Sequence, residues 1–183
     1  WMPLSSGSNP GNNGQTTECA LKAHVIKSTK GFKMPQSLSQ VILHIIFSTA
    51  NRKRWLDDNI RDRVHAYIAT TLRDQKTQAF RVGGTDDHIH IACNLPRNFN
   101  QSQLISHVKT NSSKWIKSID SEYNAFSWQK GYGIFSVSHS HLDKLIEYID
   151  NQKAHHKTTT FKEEFLTFLK KYQIQYDSNY IWE

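Results

Sequence analysis

Apolar and polar positions alternate in type along this chain, first strand-like and then helical. Gln40 to Thr49, QVILHIIFST, is an apolar, β-branched run of the kind expected of a buried strand. From Leu56 to Arg73 the period becomes helical, with Leu56, Ile60, Val64, Tyr67, Ile68 and Leu72 on one side. Asp57 and Asp58 fall in its predicted first turn, where they complement the helix dipole. Gln78 to Gly84 and Asp87 to Cys93 read as two strands of a hairpin around Gly83-Gly84-Thr85-Asp86. A second helix spans Gln103 to Ile119, with Asn100 or Ser102 as its cap. Phe126 to Ser138 reads as strand, with Gly131 and Gly133 marking a bend or bulge. His139 to His155 and Lys162 to Tyr172 are the third and fourth helices.

The resulting order, β-α-β-β-α-β-α-α, predicts an α+β sandwich of the ferredoxin-like or RRM-like kind. Its sheet has four to five mostly antiparallel strands, with helices on one face. Residues 1–33 differ from the rest: WMPLSSGSNPGNNGQTTE is rich in Ser, Gly and Asn without an apolar period. We expect residues 1–33 to be a flexible N-terminal extension and residues 34–183, beginning at Met34, to be the folded domain.

Composition narrows the class. In 183 residues, 37% are hydrophobic and 21% charged, enough for one real core. No apolar run approaches the ~18 residues of a membrane helix. The first 30 residues lack a signal-peptide core. Cys19 and Cys93 are too few for a disulfide framework, so a reducing cytoplasm is the expected setting. Net charge is +7 with a pI near 9.4, which suits a polyanionic partner. Four lysines and one acid of that balance lie in residues 1–33, and the rest of the excess also fits ordinary solvated surface.

Ten histidines say more, because histidine is the usual metal ligand and proton carrier. On a strand, His88 and His90 point one way while Ile89 and Ile91 point into the core. Two residues apart, their Cα atoms stand roughly 6–7 Å from one another, within reach of one metal ion. Asp86 shares that face as ligand or as partner of a ligand. The other reading of the pair is a solvated strand face. In the third helix, Leu142, Leu145, Ile146 and Ile149 form the core stripe. His141, Tyr148, Gln152 and His155 gather about 110° round the helix, where Tyr148 is either a nucleophile or a rim tyrosine.

Taken together, a strand-borne His-hydrophobe-His, a helix with Tyr-x-x-x-Gln and a following histidine pair resemble the HUH-type single-tyrosine transposases of small bacterial insertion sequences, the insertion-sequence-200/605 family. Met34 to Arg52 looks like the opening strand of that family. Asp87 to Cys93 is similar to its metal motif, Tyr148 to His156 to its nucleophile helix, and Phe161 to Glu183 to its closing segment. The likeness runs through essentially all of residues 34–183.

The resemblance implies metal ligation by His88, His90 and Gln152, with Tyr148 as nucleophile. It implies cutting and rejoining of single-stranded DNA at transposon ends through a 5′-phosphotyrosine, recognition of subterminal DNA hairpins, and a homodimer in which the tyrosine helix of one subunit can complete the site of the other. A mixed N/O site suits Mg²⁺ or Mn²⁺, and two imidazoles favour Mn²⁺ in vitro. No Cys/His set has zinc-finger spacing, and no GxxxxGK[ST] motif calls for a nucleotide cofactor. The implied setting is the bacterial cytoplasm, at the nucleoid during activity.

DNA contacts need separate residues. Arg52, Lys53 and Arg54 adjoin Trp55, and Lys109, Lys114 and Lys117 surround Trp115. Basic groups interleaved with aromatics suit phosphates and unpaired bases. Against this stands core packing of Trp115 and plain solvation of the lysines. Lys153 and His155 join the candidate DNA contacts, and His155 and His156 also suit assistance to Tyr148 or a helix C-terminus. The alternatives to a transposase are a non-catalytic ferredoxin-like module that binds structured nucleic acid, another HUH nuclease, and a domesticated HUH endonuclease.

Overall fold

Every residue of β1 (Ile42–Ser48) is buried, so this strand lies inside a sheet covered on both faces. The computed structural model describes residues 38–179 and 181–182, and the expected extension over 1–33 lies outside the described residues. After β1 come α1 (Arg61–Asp74), β2 (Ala79–Gly84), β3 (His88–Asn94), α2 (Gln101–Lys117), β4 (Gly133–Val137), α3 (Leu142–Asp150), α4 (Gln152–His155) and α5 (Phe161–Lys171). The strands form one sheet in the order β2-β3-β1-β4, antiparallel at every pairing. This is the α+β sandwich the sequence predicts.

The helices do not keep to one face. Leu43, Ile45 and Phe47 of β1 join Ile89, Ile91 and Cys93 of β3 in a core shared with Val64 and Ile68 of α1 and Leu104 and Val108 of α2. The opposite face carries two smaller apolar clusters. One joins Ile42 and Ala92 to Leu142, Leu145 and Ile149 of α3. The other joins Ile46 and Phe135 to Phe161, Phe165 and Leu169 of α5. The α3–α5 layer is needed because alternate β1 side chains, Ile42 and Ile46 among them, face away from α1 and α2.

Three local expectations change. The strand over 126–138 shrinks to β4, because Phe126 and Trp128 turn into the core under α2 instead of continuing the ladder. The Trp128 indole donates to Ser112 Oγ at 3.0 Å, and its backbone makes only an isolated bridge to Thr49. Asp57 and Asp58 precede α1: the Asp57 carboxylate accepts from the Asn59 and Ile60 amides and closes the turn before the helix. Finally, the helix over 139–155 is broken. His139–His141 is a 3₁₀ turn, and Asn151 separates α3 from α4.

Both later helices are well anchored. Asn100 and Gln103 form a capping box at α2, and Thr160 and Glu163 form one at α5. Cys93 is fully buried on β3, and burial pushes its thiol up to about 12. α3 crosses β2 at Gly83, where a Cβ would lie 2.6 Å from Ile149 Cγ2 and 3.0 Å from the Ile149 carbonyl oxygen. That backbone oxygen cannot move aside. Gly83→Ala is expected to destabilise the fold by ~1–3 kcal/mol, the range for overpacking, read as a lowered denaturant midpoint; an unchanged midpoint would contradict this packing.

Candidate active site

Between the two apolar clusters of the α3–α5 face runs a seam of buried polar side chains. The sheet register builds its floor. Ile46 of β1 lies opposite His90 and Ser48 opposite His88, so both imidazoles rise on the face away from α1 and α2. His44, two residues from Ile46, rises beside them, and its ring stacks on His90 at 5.2 Å. α3 supplies Tyr148, α4 supplies Gln152 and His155, the turn after it His156, and α5 Glu164. His44, His88, His90, Gln152 and Glu164 are all buried.

The hydrogen bonds fix where the ring nitrogens point. The Asp87 carboxylate lies 2.6 Å from His88 Nδ1. Burial works against that carboxylate, but the His88 imidazole holds it below its usual range. A carboxylate only accepts, so Nδ1 carries a proton and donates to Asp87, which turns His88 Nε2 into the site. His156 Nδ1 donates to the Thr159 carbonyl at 2.8 Å, which turns its Nε2 inward in the same way. His90 Nδ1 shares a hydrogen bond of 2.9 Å with His44 Nε2. Three imidazole Nε2 atoms thus converge.

Oxygens meet them. Gln152 Oε1 lies 3.2 Å from His88 Nε2 and 3.0 Å from His156 Nε2. Its orientation is set by the other end of the amide, whose Nε2 donates to Glu164 Oε1 at 3.0 Å. The Tyr148 hydroxyl donates to the same Glu164 oxygen. Glu164 Oε2 lies 3.3 Å from His156 Nε2, 3.4 Å from His90 Nε2 and 3.9 Å from His88 Nε2. Glu164 Oε2 and His90 Nε2 are both buried without a hydrogen-bond partner.

The charge states follow. Burial opposes ionisation of Glu164, but the facing His156 and His90 imidazoles hold it far below the usual carboxylate range. Burial lowers His90 to about 4, so its ring is neutral at pH 7. Burial, then the neighbouring His90, depresses His44 in the same sense. His156 moves upward despite burial because Glu164 faces it. Burial and the Glu164 carboxylate push the Tyr148 hydroxyl well above its ordinary value, so it stays protonated. The Nε2 atoms of His88 and His90 therefore face a carboxylate oxygen and an amide oxygen across less than 4 Å. Such a set fits a divalent cation: the donor atoms of His88, His90, His156 and Glu164 lie within 4.8 Å of one another.

The sequence pattern of the family described as "Transposase IS200 like" matches residues 37–152. Solved structures with this fold include a candidate transposase from Deinococcus radiodurans R1, with a TM-score of 0.52 at 16% identity over 67% of this chain and 98% of that one. Another is a REP-associated tyrosine transposase bound to a REP hairpin, with a TM-score of 0.50 at 13% identity over 69% of this chain and 74% of that one. No curated protein matches the chain significantly. The chain belongs to the IS200-like transposase family, a family of tyrosine transposases, as its His-hydrophobe-His and tyrosine motifs imply. No described helix is long and apolar enough to cross a membrane.

The structure brings His88, His90, Tyr148 and Gln152 together, from elements far apart in the chain. Asp86 stands apart from this set, paired with Arg54 at 3.4 Å, and the carboxylate that meets His88 is Asp87. Sequence reasoning missed His44 and Glu164. Both carry the same signal, a polar residue where the apolar pattern marks a buried position: His44 inside VILHIIF, Glu164 on the Phe161–Phe165–Phe168 side of its helix.

The basic candidates divide among three surfaces. Arg52, Arg54 and Lys153 line a cleft of about 680 Å³ that reaches His156, with Lys153 also paired to Asp58 at 3.0 Å. Lys53 lies over the Trp55 ring, 3.6 Å from its centroid. His155 lines a second cleft, of about 780 Å³, which Tyr148 and Glu164 share with Lys144 and Lys171. Lys109 and Lys114 lie elsewhere, in a shallow depression beside Tyr132. Trp115 stacks on Tyr67 at 4.6 Å, packing against the main core.

Lys109 has a structural task. Its ammonium donates to the carbonyls of Gln129, Lys130 and Gly131 at 2.8, 3.3 and 2.7 Å, tying the segment before β4 to α2. Burial lowers it to about 8. Lys109→Met is expected to cost ~1–2 kcal/mol, on the scale of one hydrogen bond to a charged group. Urea denaturation measures it, and a wild-type midpoint would remove the clamp from consideration.

Proposed function

We propose that this protein cleaves and rejoins single-stranded DNA at insertion-sequence ends, with Tyr148 as nucleophile and Mg²⁺ or Mn²⁺ held by His88, His90 and Gln152. The observation that carries the reading is the convergence of the Tyr148 hydroxyl with an inward-facing set of imidazole Nε2 atoms and acceptor oxygens. A purely binding module has no use for that arrangement, which costs burial of several polar groups.

A bound divalent cation would polarise the scissile phosphate and offset charge in the transition state. The chain's own residues do the rest. Asp87 and Thr85 hold the His88 ring, and His44 holds the His90 ring, so that both Nε2 atoms face one point. Tyr148 Oη attacks phosphorus, the bond to the 3′ oxygen breaks, and the tyrosine's proton is balanced by the one gained on the released 3′-OH. The product is a 5′-phosphotyrosine. Because that bond keeps its transfer potential, a new 3′-OH reverses the step and joins the strands without ATP.

The cleft beside Tyr148 suits the incoming single strand. Lys144, Lys171, His141 and His155 line it with Phe168 and Tyr172, and Glu164 is its one carboxylate. Phosphates meet the cations and unstacked bases the rings. The Arg52, Arg54 and Lys153 cleft on the other side of His156 suits the flanking duplex. The hairpin carried by the REP-associated relative supports hairpin-ended DNA as the partner here. A homodimer and action at the nucleoid belong to the same proposal. Tyr148 lies beside His90 of its own chain, their ring centroids 5.9 Å apart, which supports cleavage in cis.

Two measurements test this. Tyr148→Phe removes only a hydroxyl, so it is expected to abolish the covalent protein–DNA adduct on a denaturing gel while hairpin binding persists. An adduct formed by that variant would move the nucleophile elsewhere. Replacing His88 and His90 together with Ala is expected to remove adduct formation and its metal dependence at once, by at least ~100-fold in rate. Activity that survives both changes would sink the metal role, and DNA binding without any adduct in wild type would favour the non-catalytic module.

A further inference from the structure

We infer that Glu164 is a bridging carboxylate that ties the nucleophile to the metal, with Oε2 as a ligand beside His88 and His90 and Oε1 as the anchor of the Tyr148 hydroxyl. The inference rests on the metal-dependent reading above and adds to it a residue outside the family-matched segment, which ends at Gln152.

The two oxygens of Glu164 have different company. Oε1 is saturated, accepting from Tyr148 Oη and from Gln152 Nε2. Oε2 is buried without a hydrogen-bond partner and lies 3.3 Å from His156 Nε2 and 3.4 Å from His90 Nε2, the latter itself unpartnered. An unsatisfied carboxylate oxygen in a buried site is costly, and removing it from water is reasonable only when a cation takes the place of solvent. The Nε2 atoms of His88 and His90 converge on the same oxygen, within 4.8 Å of it and of one another. A carboxylate can hold a metal through one oxygen while the other accepts a hydrogen bond from a hydroxyl, a monodentate arrangement. Here that bridge places Tyr148 beside the ion.

The rest of α5 holds Glu164 in place. The Thr160–Glu163 capping box fixes the start of the helix one turn before it. Phe161 and Phe165 pack on either side of it in the apolar cluster with Ile46 and Phe135. Phe161 also lies against the His88 ring, their centroids 4.7 Å apart, so the fold sets the position of Glu164 together with that of His88. Gln152 is oriented through the same oxygen, which makes Glu164 the common partner of the nucleophile and of a proposed ligand.

The test is calorimetric titration of Mn²⁺ into the full chain, as wild type, Glu164→Gln, Tyr148→Phe and His88→Ala, with circular dichroism to confirm each fold. Glu164→Gln is expected to weaken Mn²⁺ binding at least ~10-fold, as loss of a ligand does. Tyr148→Phe, which leaves Oε2 untouched, is expected to stay within about twofold of wild type. At saturating Mn²⁺, Glu164→Gln is expected to form adduct at least ~10-fold more slowly, because Tyr148 has lost its anchor. If Glu164→Gln does not fold, Glu164→Asp, one methylene shorter, takes its place with the same directions. Wild-type Mn²⁺ affinity in the Glu164 variant, with His88→Ala weakened, overturns the bridge and leaves the proposed function standing. A wild-type adduct rate at saturating metal overturns the anchoring half. Equal Mn²⁺ binding by wild type and His88→Ala overturns the metal reading and the bridge together.

Discussion

One buried carboxylate sets the terms for half of this molecule. Glu164 lies in a seam where His44, His88, His90 and Gln152 are also removed from water. Polar groups buried at that density are tolerated only when each finds a partner or a counter-charge. The partners come from every part of the face: β1 gives His44, β3 gives the two ligand-type histidines, and α3, α4 and α5 close over them. Apolar clusters on either side, under α3 and under α5, exclude water and keep the seam narrow. Burial holds His44 and His90 below the usual imidazole range, and the carboxylate stays charged because His156 and His90 face it. Each condition supports the other.

The opposite face of the sheet serves stability. Its core packs Leu43, Ile45, Phe47, Ile89 and Ile91 against apolar side chains of α1 and α2. Strand alternation divides the labour between the two faces, since along β3 the same seven residues place Ile89 and Ile91 in one layer and His88 and His90 in the other. The site is therefore held at the registry of a ladder, which is stiffer than a loop.

Much of this was legible in the order of residues, and the reasons for the gaps are physical. His88 and His90 could be placed because a two-residue period puts both on one face whatever the tertiary context. Tyr148 and Gln152 could be grouped because four residues make one helical turn. Their grouping survives even though the helix does not: α3 stops at Asp150, and Gln152 belongs to α4. Propensity gives no sign of that break, because Asn151 is tolerated in helices and at their ends alike. Helices on both faces, in contrast to one, follow from a feature already present, the unbroken apolar run of β1, which only a doubly covered strand needs. Glu164 and His44 are harder to see, because each stands among apolar neighbours and its polarity is the whole of the signal.

Cys93 offers a way to watch this architecture. It sits on the strand that bears His88 and His90, its sulfur shut off from solvent and its thiol held up near 12. A thiolate is the reactive form, so in the closed state an alkylating reagent meets neither an accessible nor an ionised sulfur. Modification at that position is thus a clock for the separation of β3 from its neighbours. Its rate reports how often the histidine-bearing strand opens, independently of any DNA, metal or turnover.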